Sequence, residues 1–103
     1  MGVLKVAKRS VPNAVAGSLV SVVREMGTAE LQTIGAGAMN QAIKAIAIAR
    51  KRLDSQEIDL ICRPAFAVVM LEGRERTVIR LMVESCSKGD LIAISTPDDT
   101  VSV

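Results

Sequence analysis

Histidine and most aromatic side chains are missing from this chain, and both absences restrict what it can do. There is no His, Trp or Tyr, and Phe66 is the single aromatic residue. Without histidine, the chain lacks the side chain that most often serves as general base near neutral pH. With one aromatic ring, it offers no platform for stacking successive RNA bases. We therefore expect no catalytic residues, and any nucleic-acid binding should be directed at the backbone.

Cysteine is also scarce. Cys62 and Cys86 form no CxxC motif, which predicts structural thiols rather than a disulfide framework or a metal site. The N-terminal residues do not follow a signal-peptide pattern, and cationic side chains flank the most apolar helical run. We expect a cytoplasmic protein with no cofactor, no metal and no membrane partner.

The length and the charge distribution predict one domain followed by a tail. At 103 residues, half of them hydrophobic, the chain can build one core. Residues 1–85 hold 12 basic and 8 acidic side chains, whereas residues 86–103 hold 1 and 3. We predict a mildly basic domain over 1–85 and an acidic tail over 86–103, which forms either a short extra strand or an irregular segment.

Hydrophobic periodicity and turn residues predict six elements in the order β-α-β-α-β-β. They are strands at 3–7 and 30–34, helices at 13–26 and 39–52, and a hairpin of strands 58–71 and 76–84. Gly27 predicts a left-handed cap on the first helix, and Pro64 predicts an edge strand or a bulge. Two helices on one face of a four-stranded mixed sheet satisfy this order, giving a two-layer α/β sandwich.

The second predicted helix carries two apolar stripes. One contains Met39, Ile43, Ile46 and Ala47, and the other contains Ala38, Ala42, Ala45 and Ala49. We expect both sides of this helix to pack. The alanine stripe and the aliphatic hairpin together exceed what one small sheet can cover, which predicts a homodimer or a higher oligomer.

Many stretches of the sequence resemble the stage V sporulation protein S family, over about residues 3–84. They are Val3-Leu4-Lys5-Val6, Pro12-Asn13, Val15-Ala16-Gly17, Ile34-Gly35-Ala36-Gly37-Ala38, Asn40-Gln41-Ala42, Lys44-Ala45, Ala47-Ile48-Ala49-Arg50, Asp59-Leu60-Ile61-Cys62, Pro64-Ala65-Phe66 and Glu75-Arg76-Thr77. The resemblance implies an Alba-like fold, which agrees with the element order above. It also implies a role in sporulation or developmental regulation, with nucleic acid as the partner. Lys8-Arg9, Arg63 and the tail depart from the family pattern, as a divergent paralogue would.

The candidate nucleic-acid-binding residues fall in three segments. Lys8 and Arg9 follow the first strand, in the segment that contacts nucleic acid in the proteins this chain resembles. The glycine turn before the second helix offers backbone N–H groups to a phosphate, although it also serves as a sharp turn for packing. On the hairpin, arginines form either a binding stripe or salt bridges with Glu72, Glu75 and Glu84. The full set is Lys8, Arg9, Gly35, Gly37, Asn40, Lys44, Arg74 and Arg76.

Two other functions compete with a regulator that binds nucleic acid, DNA in preference to RNA. One is a structural or protein-interaction module that assembles oligomers through its aliphatic surface. The other is an enzyme that binds a small phosphorylated ligand at the glycine turn, although the missing third glycine of a dinucleotide fingerprint weighs against it.

Overall fold

The computed structural model describes residues 2–88 and 102–103, and it confirms the predicted element order. The elements are β1 (Gly2–Val6), α1 (Pro12–Met26), β2 (Thr28–Thr33), α2 (Ala36–Leu53), a short 3-10 turn (Asp54–Gln56), β3 (Ile58–Leu71) and β4 (Arg74–Ser87). Strand β4 thus continues two residues into the segment predicted as the tail. The predicted extra strand in that tail lies outside the described residues.

The four strands form one mixed sheet in the order β1-β2-β4-β3. Strands β1 and β2 are parallel, and the other neighbours are antiparallel. Pro64 lies opposite Leu81 in an uninterrupted register on β3, which is an edge strand. An edge tolerates proline because its N–H need not take part in the ladder. Of the two alternatives for Pro64, the edge strand is therefore confirmed.

Both helices pack on one face of the sheet and share an aliphatic core with it. Leu19 and Val23 of α1 are buried with Leu31 of β2 and Leu81 of β4. Helix α1 ends where Gly27 adopts a φ of 78° and donates its N–H to the carbonyl of Val23, as the sequence predicts. Neither helix in the described part of the chain is both long and apolar enough to cross a bilayer.

Helix α2 differs from the prediction in its start and in its buried face. It begins at Ala36 rather than at Met39, so Gly37 lies inside its first turn. The alanine stripe faces the core together with Ile46 of the other stripe, while Ile43 is half exposed and Ala47 is exposed. Small side chains allow α2 to approach its neighbours closely. The alanine stripe is therefore no spare surface, and that part of the argument for a dimer is wrong.

The half of the β3–β4 hairpin that contains its turn, residues 64–79, extends as an arm. Its turn places Glu72 and Gly73 at positive φ, 51° and 76°. Side chains alternate between an inner face, on the side of the helices, and an outer face. The inner face carries Phe66, Val68 and Met70, and the outer face carries Arg74 and Arg76. Each face also carries other side chains: Glu75 lies opposite Met70 on the inner face, and Val69 lies opposite Arg76 on the outer face.

Candidate nucleic-acid interface

Lys8 and Arg9 form the tip of a tight turn between β1 and α1. The backbone N–H of Ser10 donates to the carbonyl of Ala7 at 3.0 Å, and the N–H of Ala7 donates to Ser10 Oγ at 2.9 Å. Both cations are exposed, and neither belongs to any of the ion pairs of the described residues. The two hydrogen bonds fix the backbone that presents them to solvent.

The Lys8 turn packs directly on the start of α2. Gln41 Nε2 donates to the carbonyl of Lys8 at 3.1 Å. A Cβ atom at Gly37 would lie only 2.8 Å from Lys8 Cγ, closer than carbon atoms normally approach. A side chain at position 37 would therefore displace Lys8. This contact confirms that Gly37 serves close packing, and it also puts a cation beside the end of a helix.

The N-terminus of α2 is suited to an anion. Gly35 adopts a φ of 87°, which favours glycine, and it has no side chain with which to cap the helix. The first N–H to reach a helical acceptor is that of Met39, which donates to the carbonyl of Gly35 at 3.1 Å. The N–H groups of Ala36, Gly37 and Ala38 therefore have no partner within the helix. These donors and the positive end of the helix dipole favour a phosphate.

Two further candidates lie on the same side of α2. Asn40 and Lys44 follow Gly37 by three and seven residues, which is the spacing of one helical face. Both are exposed. The fold therefore brings six of the predicted residues into one region: Lys8, Arg9, Gly35, Gly37, Asn40 and Lys44. Gln41, which ties this region together, was missed because its contact joins positions 33 residues apart.

Arg74 and Arg76 lie apart from that region, on the outer face of the arm near its tip. Together with Leu71 and Glu72 they line a concave surface. Of the acidic residues expected to pair with them, Glu84 pairs with Arg63 instead. Neither arginine belongs to an ion pair in the part of the chain that the structure describes. Both guanidinium groups are exposed to solvent.

A shallow outer groove connects the arm with β1. It is lined on the outer face of the sheet by Lys5, Gln32, Ile34, Val69, Leu71 and Val78. Leu71 also borders the surface of Arg74 and Arg76, and Lys5 lies three residues before Lys8. Lys5 is exposed and was missed in the sequence, although the alternation of β1 was the available signal. The outer groove therefore has cations on both sides.

Arg80 shares the outer face with Arg76 but differs in its contacts. Its Nη2 lies 2.9 Å from Oε1 of Glu30, a carboxylate that is 8% exposed. Gln32 Nε2 donates to Glu30 Oε2 at 2.7 Å. These contacts hold Nη2 of Arg80 against the sheet, whereas its buried Nε has no hydrogen-bond partner among the described residues.

Another ion pair lies at the C-terminal end of α2, away from the Lys8 turn. Arg50 donates to both carboxylate oxygens of Asp59, at 2.6 and 3.0 Å, and this contact lowers the pKa of Asp59. The N–H of Leu60 also donates to Asp59, at 2.7 Å. These bonds fix the start of β3. Within residues 2–88 and 102–103, no three acidic or cysteine side chains group closely enough to hold a metal ion.

The chain was compared with known protein families. The family described as stage V sporulation protein S matches residues 2–86, which includes all the candidate residues and every element described above except the last residue of β4. The match covers most of the 103-residue chain and implies a sporulation-related role. The chain therefore belongs to the stage V sporulation protein S family.

Proposed function

We propose that this protein is a non-enzymatic developmental regulator that binds nucleic acid through the phosphate backbone, with DNA preferred to RNA. One observation carries the proposal: the exposed Lys8 turn packs on the N-terminus of α2 through Gly37. Two kinds of phosphate ligand, cationic side chains and backbone N–H groups, thereby lie side by side. Each is a recurrent ligand for nucleic-acid phosphates.

The chemistry of these groups favours binding without sequence selection. Lys8, Arg9 and Lys44 neutralise phosphates, and such contacts carry no information about the bases. The single aromatic residue, Phe66, lies on the inner face of the arm, away from the outer groove. Affinity for duplex DNA should therefore vary little between sequences and fall steeply with salt.

The charge of the described domain supports a modest affinity that a dimer would raise. All 13 basic residues and 8 of the 11 acidic residues lie in 2–88, a net charge of +5 from 13 minus 8. Four of these cations are paired with carboxylates. Two copies would double the number of cations that one DNA segment meets.

The competing function is a protein-interaction module, which the apolar inner face of the arm favours. Phe66 is 80% exposed, more than a side chain that only stabilises a fold would be. This module would use the apolar face and leave the Lys8 turn without a ligand. A dimeric nucleic-acid-binding protein uses both surfaces, so binding measurements separate the two functions.

The experiment is a fluorescence anisotropy titration of two duplex DNAs with unrelated sequences and one RNA of equal length, at several salt concentrations. We expect similar affinity for both duplexes, weaker binding of the RNA, and a linear fall of log K with log salt. No binding at low salt would contradict the proposal and would favour the interaction module. A strong preference for one duplex would contradict the backbone-directed mechanism.

A further inference from the structure

Strand β1 leaves one side of its backbone open. The strand order β1-β2-β4-β3 places β1 at an edge, where it pairs with β2 on one side and with no other strand of the described residues. Successive residues of a strand direct their N–H and C=O groups to opposite sides, so about half of these groups in Gly2–Val6 point away from β2. The other edge strand, β3, is interrupted as a ladder by Pro64, whereas β1 contains no proline. The edge of β1 can therefore pair with another extended chain.

A groove of about 270 Å³ runs along this edge, between β1 and α1. Its main lining residues are Leu4, Lys5, Val11, Ala14, Val15 and Ser18. The last four have the spacing i, i+3, i+4 and i+7, which is one face of a helix. Leu4 and Val15 pack at the margin of the core, while Val11 and Ala14 are exposed. The groove thus has an apolar floor that lies beside the open backbone.

The two ends of the groove differ. At the start of β1, a side chain at Gly2 would clash with Val22 Cγ1, so α1 lies directly on the strand there. The other end reaches the β1–α1 turn, which carries Lys8 and Arg9, and Lys5 is exposed on the outer face of β1. None of these three cations belongs to an ion pair of the described residues, and no acidic residue lines the groove. The charge of this surface suits an acidic partner.

We propose that the β1 edge and this groove bind an extended segment of a partner protein in which apolar residues alternate with acidic ones. The segment pairs its backbone with β1 as an additional strand, a recurrent mode of peptide recognition. Its side chains then alternate between the two faces of the sheet. Apolar side chains enter the groove beside Leu4 on the inner face, and a carboxylate lies beside Lys5 on the outer face.

The shape and the chemistry of the site favour a peptide over other ligands. Pockets for small molecules commonly measure about 300–1,000 Å³ and enclose most of the ligand, whereas this groove is smaller and open along the edge. A DNA backbone offers acceptors but no donors, so it would leave the outward carbonyl groups of β1 unpaired. The site is also separate from the apolar face of the arm, and peptide binding there requires no nucleic acid.

The probe is an eight-residue peptide in which valine alternates with glutamate. A control peptide of four valines followed by four glutamates has the same composition and charge but does not alternate. Isothermal titration calorimetry with the full chain measures both affinities. We expect saturable binding of the alternating peptide and about tenfold weaker binding of the control. Equal affinities would overturn the proposal, because charge alone would then explain binding, and so would no saturable binding of the alternating peptide at millimolar concentration.

Two exposed helical alanines receive the same substitution to locate the site. Ala14→Phe fills the groove, and Ala47→Phe places the same ring on α2 outside it. Circular dichroism verifies that both variants fold. Ala14→Phe should raise the dissociation constant of the alternating peptide by about tenfold or more, as the loss of a central contact does. Ala47→Phe should leave it unchanged. Equal effects of the two variants, or no effect of Ala14→Phe, would overturn the proposal.

Two further measurements test the charge and the backbone pairing. Lys5→Glu should weaken binding of the alternating peptide severalfold and strengthen binding of a peptide in which lysine replaces glutamate. Methylation of two successive backbone nitrogens, one in each of two peptides, should abolish binding in one peptide and spare it in the other, because alternate N–H groups face β1. Unchanged affinities in Lys5→Glu, or equal effects of the two methylations, would overturn the proposal.

Discussion

The side chain of Lys8 lies against the backbone of Gly37, and this contact joins the β1–α1 turn to the N-terminus of α2. A Cβ at position 37 would come within 2.8 Å of Lys8 Cγ. Lys8 approaches the free N–H groups of α2 because residue 37 has no side chain. The arrangement of the candidate site thus depends on a glycine that binds no ligand through a side chain of its own.

Substitution of Gly37 tests this arrangement. We expect Gly37→Ala to displace Lys8 and to weaken DNA binding severalfold, while the added helix propensity keeps α2 folded. Gly17→Ala is the matched control, because Gly17 is also helical and its nearest neighbour, Arg52 Nη1, lies at an ordinary 3.5 Å from the added Cβ. Titrations of both variants check the prediction. Equal affinities would show that the contact between Lys8 and Gly37 has no role in binding.

Removal of Arg80 should reduce stability more than binding. Arg80→Ala leaves the buried carboxylate of Glu30 without its cation, which should lower the unfolding free energy. The expected loss is about 2 kcal/mol, less than for a fully buried pair, because Arg80 is itself partly exposed. Urea denaturation measures this decrease. Glu30→Gln combined with Arg80→Ala should recover part of it, since no buried charge then lacks a partner. If the single variant binds DNA as weakly as a variant of the Lys8 turn, Arg80 does contact the ligand.

The Arg50–Asp59 ion pair predicts a dependence of stability on acid pH. Arg50 lowers the pKa of Asp59 in the folded state, so the stabilisation is complete above the unfolded pKa of about 3.9 and is lost as the pH falls through the folded value. Asp59→Asn should therefore lower the unfolding free energy by about 1–2 kcal/mol at neutral pH. The difference in unfolding free energy between Asp59→Asn and the unmodified protein should disappear in strong acid. Asp54→Asn, at an exposed pair with Lys88, should have a smaller effect at every pH.

Periodicity and turn residues were sufficient to predict the element order, because those signals are local. The bounds of β3 and the Gly27 cap follow from alternation and from glycine at a left-handed position. The buried face of α2 could not be predicted in this way. The alanine stripe and the stripe that contains Ile43 and Ile46 both look apolar in the sequence. The packing of the neighbouring elements decides that the alanines and Ile46 are buried while Ile43 stays half exposed.

The candidate site was predictable only in part, for a related reason. Lys8 and Arg9 were found through the family resemblance, and Gly35 and Gly37 through their position before a helix. Contacts between residues that are distant in the sequence could not be predicted from it. Examples are the contact of Gln41 with Lys8 and that of Arg80 with Glu30. The first adds a residue to the site, and the second holds Nη2 of Arg80 against the sheet.

The salt dependence of DNA binding tests the central claim most directly, with the Lys8 turn compared against cations elsewhere. The double variant Lys8→Ala/Arg9→Ala removes two proposed phosphate ligands. The control Arg24→Ala/Lys51→Ala removes two exposed cations from the C-terminal parts of α1 and α2 and changes the net charge equally.

The slope of log K against log salt should become shallower by about two for Lys8→Ala/Arg9→Ala, because each phosphate that the protein no longer neutralises changes the slope by about 0.9. The weakening should be equal for unrelated DNA sequences. For Arg24→Ala/Lys51→Ala, the slope should stay close to that of the unmodified protein. An unchanged slope in the Lys8→Ala/Arg9→Ala variant, or equal changes in both variants, would contradict the claim that the Lys8 turn binds the phosphate backbone.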